Sequence, residues 1–285
     1  MAPANKRAAA VTGAGSGLGR DIALGLAAKQ YQVFGTAMNA QEIAALDQAS
    51  GGAVKLTHCD ITDDDAVKRW AQDVRSQTGG GLNLLINNAG ILTPGPLEVL
   101  SLHAIRREFD VNVFGSLSVI NAFLPALRQA RGRIVQVSTW TASLPLPFNG
   151  PSGASKAAVE VLATVYRAEL KQFGIDVVVA VPGNMKTGGP AKTAAALQRV
   201  VNDMTAEQRE LYGNTFGSFA NALNSMQDSG LDSVSAAAKV IALAEQVPAP
   251  SRGPVGPDAE EILRAVREKS DAEQDALRLT LAGLH

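Results

Sequence analysis

Short runs of apolar, largely β-branched residues recur along this chain, each followed by a longer stretch of helical periodicity. The runs at Ala8–Val11, Gln32–Thr36, Val54–Thr57, Leu82–Asn87, Arg133–Val137 and Asp176–Val181 read as strands. Between them Leu18–Lys29, Ala40–Gln48, Asp63–Thr78, 100–129 and Ser155–Gln172 read as helices. A strand that is apolar on both faces has to be covered on both. That requires a parallel sheet between two helical layers. With right-handed crossovers the expected fold is α/β, a doubly wound parallel sheet of Rossmann type. Neither a linker nor an internal repeat divides the 285 residues, so the chain is expected to be one domain over 1–285. Within it, 188–232 is Ala-, Asn- and Gln-rich and reads as a helical substrate lid over the carboxyl ends of the strands. The stretch 250–285 reads as a C-terminal extension, a Pro/Gly-rich turn followed by one helix, 258–281.

Charge and composition remove several function classes. The net charge of −1 comes without a basic block beyond Lys6-Arg7 and Arg106-Arg107, both read as solvated surface. No nucleic-acid partner is expected from such a chain. No run approaches the roughly 18 apolar residues of a membrane span, and Met1–Ala10 lacks the apolar segment of a signal peptide. The single Cys59 cannot form an internal disulfide. A cytoplasmic location is therefore expected. No metal is expected either, since His58, His103 and His285 lack ligand spacing.

Chemistry-bearing motifs sit where strands hand over to helices. Thr12-Gly13-Ala14-Gly15-Ser16-Gly17-Leu18-Gly19 follows the first strand and opens the first helix. Glycines there permit a tight turn, and a helix N-terminus offers free N–H groups to a pyrophosphate. Roughly 70 residues on, Asn87-Asn88-Ala89-Gly90 ends the fourth strand, at the edge where open α/β sheets bind ligands.

With these two motifs in order, the chain resembles the short-chain dehydrogenase/reductase family. The likeness continues in Asn112 of FDVNVFG, Ser138-Thr139 after RIVQV, Lys156 of GASKAAVE, and Pro182-Gly183 with Met185 and Thr187 in PGNMKT. GPVGPDAEEIL is similar to the C-terminal segment of members that act on retinol, 17β-hydroxysteroids and acyl-dihydroxyacetone phosphate. The resemblance implies an NADP or NAD cofactor held by Gly13, Gly15, Ser16, Gly17, Leu18, Gly19, Met38, Asp60, Ile61, Asn88, Ala89, Gly90, Lys156, Pro182, Gly183, Met185 and Thr187. At the end of the second strand Ala37 replaces the acid that favours NAD, and Met38 replaces an Arg common in NADP-using relatives. Both cofactors are expected to bind, with a lean to NADP.

The family's reaction interconverts an alcohol and a ketone or aldehyde, with a tyrosine passing the proton and a lysine lowering its pKa. Carried over by position, Asn112 and Lys156 match. Thr139, rather than Ser138, takes the serine role, thirteen residues before the tyrosine slot. That slot holds Ser152, a far weaker acid whose oxygen ends short of a phenol's. Three readings stand. Ser152 is an engineered, inactivating replacement of a tyrosine; or another acid works, such as a water held by Lys156 or Tyr212 of the lid; or the chain is a silent binder or non-redox enzyme on the same scaffold. Leu144–Leu146 and Phe148 are expected to line an apolar pocket, and Trp140 either lines it or packs. A small, mainly apolar substrate is implied. The resemblance also implies a homodimer or homotetramer through the helices around 112–129 and 155–172.

Overall fold

Alternation along the strands decides the layers. In the computed structural model, which describes residues 6–186 and 189–284, Ala8 and Ala10 of β1 (Ala8–Val11) face one apolar layer, and Ala9 and Val11 face the other. Helix α1 (Gly17–Ala28) covers the second layer with Ile22 and Leu26. The chain continues through β2 (Gln32–Ala37), α2 (Ala40–Ser50), β3 (Val54–His58) and α3 (Asp64–Gln77). Asp63 caps α3 through its carboxylate, with Asp64 and Asp65 in a first turn that suits the helix dipole. After β4 (Leu84–Asn87) come α4 (Leu102–Phe109) and α5 (Ser116–Ala130), joined without a break by one wide π-type turn, Asp110–Gly115. By length and composition the continuous helix Leu102–Ala130 could cross a bilayer. With 56% of its most apolar stretch buried inside the fold, it is a core helix.

Strand β5 (Arg133–Val137), helix α6 (Gly150–Leu170) and strand β6 (Asp176–Pro182) follow. The expected start of α6 at Ser155 is corrected to Gly150. Pro151 sits in the first turn, where its missing N–H costs nothing. Ser152 thus lies on the helix rather than in the loop before it. The short strand β7 (Met185–Lys186) leads to α7 (Gly189–Asp203) and α8 (Ala206–Asp228), which fill most of the expected lid. Strand β8 (Leu231–Asp232) pairs with β7, and α9 (Ser233–Glu245) packs beside α1. The sequence reading left this ninth helix unassigned.

Strand β9 (Arg252–Val255) pairs in parallel with β6 and completes a sheet of order β3-β2-β1-β4-β5-β6-β9. Sequence reasoning took this stretch for a turn because Gly253 and Pro254 both weaken a strand signal. Proline is tolerated because β9 is the edge strand, and Gly253 lies where a Cβ would strike Leu243. The final helix is two, α10 (Pro257–Glu268) and α11 (Asp271–Leu281). A capping box between Ser270 and Glu273 restarts the chain.

Helix α8 reaches the core through Phe216, Phe219 and Leu223. Phe148 stands against the first two, with ring centroids 5.5 and 5.6 Å apart. Across the same layer Phe123, fully buried on α5, meets Trp70 of α3 edge-on at 4.8 Å. Phe123→Ala should lower the unfolding free energy in urea by about 3–5 kcal/mol, the usual cost of a phenyl-sized cavity. A loss below about 1 kcal/mol would mean that the α3–α5 layer collapses to fill the space.

Candidate active site

Two hollows join along the carboxyl edge of the sheet, sharing Asn88, Gly90 and Ile91. One of about 510 Å³ is lined by Gly13, Gly15, Ser16, Met38, Asp60, Ile61, Asn88, Ala89 and Gly90 among others. The second, of about 350 Å³, takes in Leu18, Thr139, Ser152, Lys156, Pro182, Gly183 and Met185.

At the glycine end, Thr12 joins two loops. Its buried hydroxyl oxygen accepts from the N–H groups of Asn88 (2.9 Å) and Ala89 (3.0 Å). The Asn88 amide returns a bond to the Thr12 carbonyl at 3.1 Å. Gly13 has φ +64°, which favours glycine, and at Gly19 any Cβ would strike the Gly13 carbonyl. Gly17 opens α1. Ser16 before it adopts N-cap geometry, yet its side chain makes no cap bond. The α1 N-terminus therefore points uncapped toward the groove.

Asp60 stands at the end of β3. Burial works to raise its carboxyl, but the Thr62 N–H and hydroxyl outweigh it together with the Arg107 guanidinium at 3.4 Å, holding it below the ordinary range. Arg107 thus lines the groove instead of standing free as surface charge. Cys59 is buried, and burial pushes its thiol up to about 11. The His58 ring contacts the Met38 carbonyl at 3.0 Å. Among the described residues no His, Cys, Asp and Glu cluster suits a metal.

At the other end Lys156 extends from α6 and donates to the Val137 carbonyl at 3.2 Å. Burial pushes its ammonium down to about 8, against the pull of the Glu108 and Glu160 carboxylates. Glu108 is itself fully buried, and burial raises its carboxyl. Hydrogen bonds from Thr93 and the charge of Lys156 work the other way. Asn112 sits in the π-type turn, behind Gly90 and Ile91. Its amide bonds the Ile91 backbone at both ends, at 2.9 and 3.0 Å, and donates to Ser155 Oγ at 3.0 Å. Ser155 in turn donates to the Ser152 carbonyl at 3.1 Å.

The two hydroxyls after β5 differ. Ser138 donates to Glu160 at 2.6 Å, and Arg252 pairs with both oxygens of the same carboxylate, at 2.9 and 3.1 Å. Thr139 faces the hollow and accepts only long bonds from Thr141, at 3.3 and 3.4 Å. Trp140 both packs and lines, being 3% exposed. Tyr212 is corrected as a candidate acid. Its phenol donates to Glu98 outside both hollows, and that bond raises its pKa. Thr187 lies outside the described residues.

Two functional-looking residues escaped the sequence reading. Glu42 of α2 lines the groove and accepts weakly from the Met38 N–H at 3.4 Å. The pattern Asn39-x-x-Glu42 is a helix-start signal that could have placed this carboxylate just past β2. Asp258, at the start of α10, accepts from the Asn184 N–H at 2.6 Å and so braces the loop after β6. Nothing local marks that pairing.

Residues 7–198 match the short chain dehydrogenase family. The chain is 34% identical to the NADPH-dependent 1-acyldihydroxyacetone phosphate reductase of Schizosaccharomyces pombe, over 60% of this chain and just over half (57%) of that enzyme. It is 31% identical to mouse (Mus musculus) retinol dehydrogenase 16, over 76% of this chain and 69% of that one. A crystal structure of a short chain dehydrogenase from Burkholderia cenocepacia in complex with NADP superposes with a TM-score of 0.72 at 26% identity, covering 97% of this chain and 98% of the other.

Thr12→Val keeps the shape of the loop junction but strands two backbone N–H groups. It should cost at least about 1–3 kcal/mol, the penalty for one unsatisfied buried group. Thermal melting would read this as a fall in Tm; an unchanged Tm would mean that water replaces the hydroxyl.

Proposed function

Because the chain belongs to the short chain dehydrogenase family of oxidoreductases, we propose that it is an NADP(H)-linked enzyme interconverting an alcohol and a ketone or aldehyde. Its turnover is held low by Ser152. The observation that carries this reading is the meeting of Thr139, Ser152 and Lys156 in a hollow continuous with the glycine-lined groove.

The groove suits a dinucleotide on its own residues. The uncapped α1 N-terminus and the Ser16 hydroxyl, which makes no cap bond, suit a pyrophosphate, and a Cβ at Gly90 would press on Lys156 and Asn112. When bound, the nicotinamide supplies or accepts the hydride. Thr139 donates its hydroxyl to the substrate oxygen. Lys156 holds a ribose and carries the positive charge that a phenol at position 152 would share. Asn112 positions the Gly90–Ile91 backbone. Leu18, Leu146, Trp140 and Leu223 give the substrate an apolar wall.

The lean to NADP(H) draws support from the NADPH-dependent yeast relative, the NADP-bound structural relative, and the Arg107 guanidinium on the groove. The Glu42 carboxylate opposes the extra phosphate, so the lean is modest. Lys156 loses its charge as pH rises through about 8. Its attraction for an anionic cofactor is thus present below that pH and lost above it. Titration should give the tighter Kd for NADP+ at pH 7, with both cofactors weakening from pH 7 to 9 and a flatter profile in Lys156→Ala. A preference for NAD+ beyond tenfold, about 1.4 kcal/mol, would overturn the cofactor assignment.

On the outer faces of α5 and α6, Val161 and Val165 are exposed around a hollow lined by Leu117, Leu124 and Leu162, with Phe173 at its rim. We assign this face to pairing of identical copies, as a dimer or tetramer. The lone, buried Cys59 supports a cytoplasmic location. A second reading, a catalytically silent cofactor binder, is favoured by Ser152 itself.

Ser152→Tyr separates the two readings. It places a phenol one helical turn before Lys156. Turnover with a panel of steroid, retinoid, acyl and aryl alcohols should rise by at least about 10²-fold, the low end for a positioned acid/base. A folded, cofactor-binding tyrosine variant that oxidises none of them would favour the silent binder.

A further inference from the structure

Five buried side-chain polar atoms lack a hydrogen-bond partner among the described residues. Two of them, Asn149 Oδ1 and Gln227 Oε1, belong to residues lining the hollow that holds Thr139, Ser152 and Lys156. Asn149 comes from the turn before α6 and Gln227 from the last turn of α8, so wall and lid each contribute one. Buried polar groups are almost always paired, and an unpaired one calls for an explanation.

Asn149 stands at the N-cap of α6, where an asparagine ordinarily accepts from the helix's first N–H groups. Here its side chain makes no cap bond, although the residue is only 5% exposed. Its backbone carbonyl accepts the ordinary first helical bond, from the Gly153 N–H at 3.1 Å, while its side-chain oxygen accepts none among the described residues. The amide is therefore not spent on the fold. Leu146, Leu223 and Trp140 share the same lining, and no side chain among the described residues donates to either oxygen.

We propose that Asn149 and Gln227 form a hydrogen-bonding clamp for a second, non-reacting hydroxyl of the substrate, so that the preferred substrate is a neutral diol rather than a simple alcohol. The inference rests on the alcohol-oxidoreductase reading and narrows its substrate. The charge of the hollow selects among donors. A second ammonium would face the Lys156 cation, and a carboxylate or phosphate has no proton to donate to the two unpaired oxygens. A hydroxyl donates to either oxygen without a charge conflict. Sites built to pair with a hydroxyl discriminate strongly against analogues that lack it, because their own buried groups are then left unpaired.

The test uses binding, so that it needs no turnover. With NADP+ present and Ser152 in place, the ligand-induced rise in Tm is titrated with 1,8-octanediol against 1-octanol, and with 1,4-cyclohexanedimethanol against cyclohexanemethanol. Each diol should bind at least tenfold more tightly than its mono-alcohol. Gln227→Leu and Asn149→Leu should bring that ratio toward one. Both should also raise the Tm of the ligand-free protein, since each removes an unpaired buried oxygen. Equal binding of diols and mono-alcohols by the unaltered chain would overturn the clamp, whether or not the leucine variants fold. So would a lower ligand-free Tm in both variants, which would mean that water already satisfies the two oxygens. A diol preference without oxidation by Ser152→Tyr would leave the clamp standing and remove the oxidoreductase reading instead.

Discussion

All seven strands of the central sheet run parallel, and that one constraint sends every strand's carboxyl end to the same edge. The loops after β1, β4, β5 and β6 must therefore lie side by side. Strand β1 is the pivot: Val11 pairs with Gly35 of β2 on one side and with Ile86 of β4 on the other. Crossovers leave in opposite directions from this point, and the loops part there to open a crevice. Thr12 is the next residue. Its hydroxyl ties the glycine loop to the start of the Asn88–Gly90 segment, so the floor of the crevice is set by one side chain accepting two backbone bonds.

Features carried by local pattern were legible in the sequence. Six strand runs, the glycine loop and the Asn87–Gly90 turn each announce themselves within a few residues, because strand burial and turn geometry are short-range demands. What escaped depends on contacts between distant segments. Gly253 and Pro254 weaken any strand signal, and only the presence of β6 alongside makes Arg252–Val255 a strand. Arg107 reads as one of a solvated pair until the fold brings Asp60 beside it. Glu42 reaches the groove, and Asp258 braces the loop after β6, from helices whose own sequences serve helix starts. The start of α6 was missed through the glycines and the proline at 150–153, which look like loop residues although they occupy a first helical turn.

Lys156 makes the absence of a phenol an electrostatic matter as well as a geometric one. Its ammonium is desolvated, and the nearest compensation comes from two carboxylates, each with duties of its own. Glu160 is shared with Ser138 and Arg252. Glu108 is bound up with Thr93 and Asn112. A phenolate-forming side chain would add a third partner that can take up negative charge. A serine hydroxyl leaves the cation only partly compensated, and this suits retention of an anionic ligand better than proton transfer.

Phe148 links the roof of the site to its wall. Its ring lies against Phe216 and Phe219 of α8, one residue before Asn149 and four before Ser152. The helix that lines the second hollow through Leu223 and Gln227 and the segment that brings Asn149 and Ser152 to it therefore share one apolar joint. Swinging α8 outward would unpack Phe148 and disturb the turn that leads into Ser152 at the same time. Any remodelling of substrate scope through α8 would then draw on fold stability, and changes of specificity and compensating changes in this aromatic trio should accumulate together over evolutionary time.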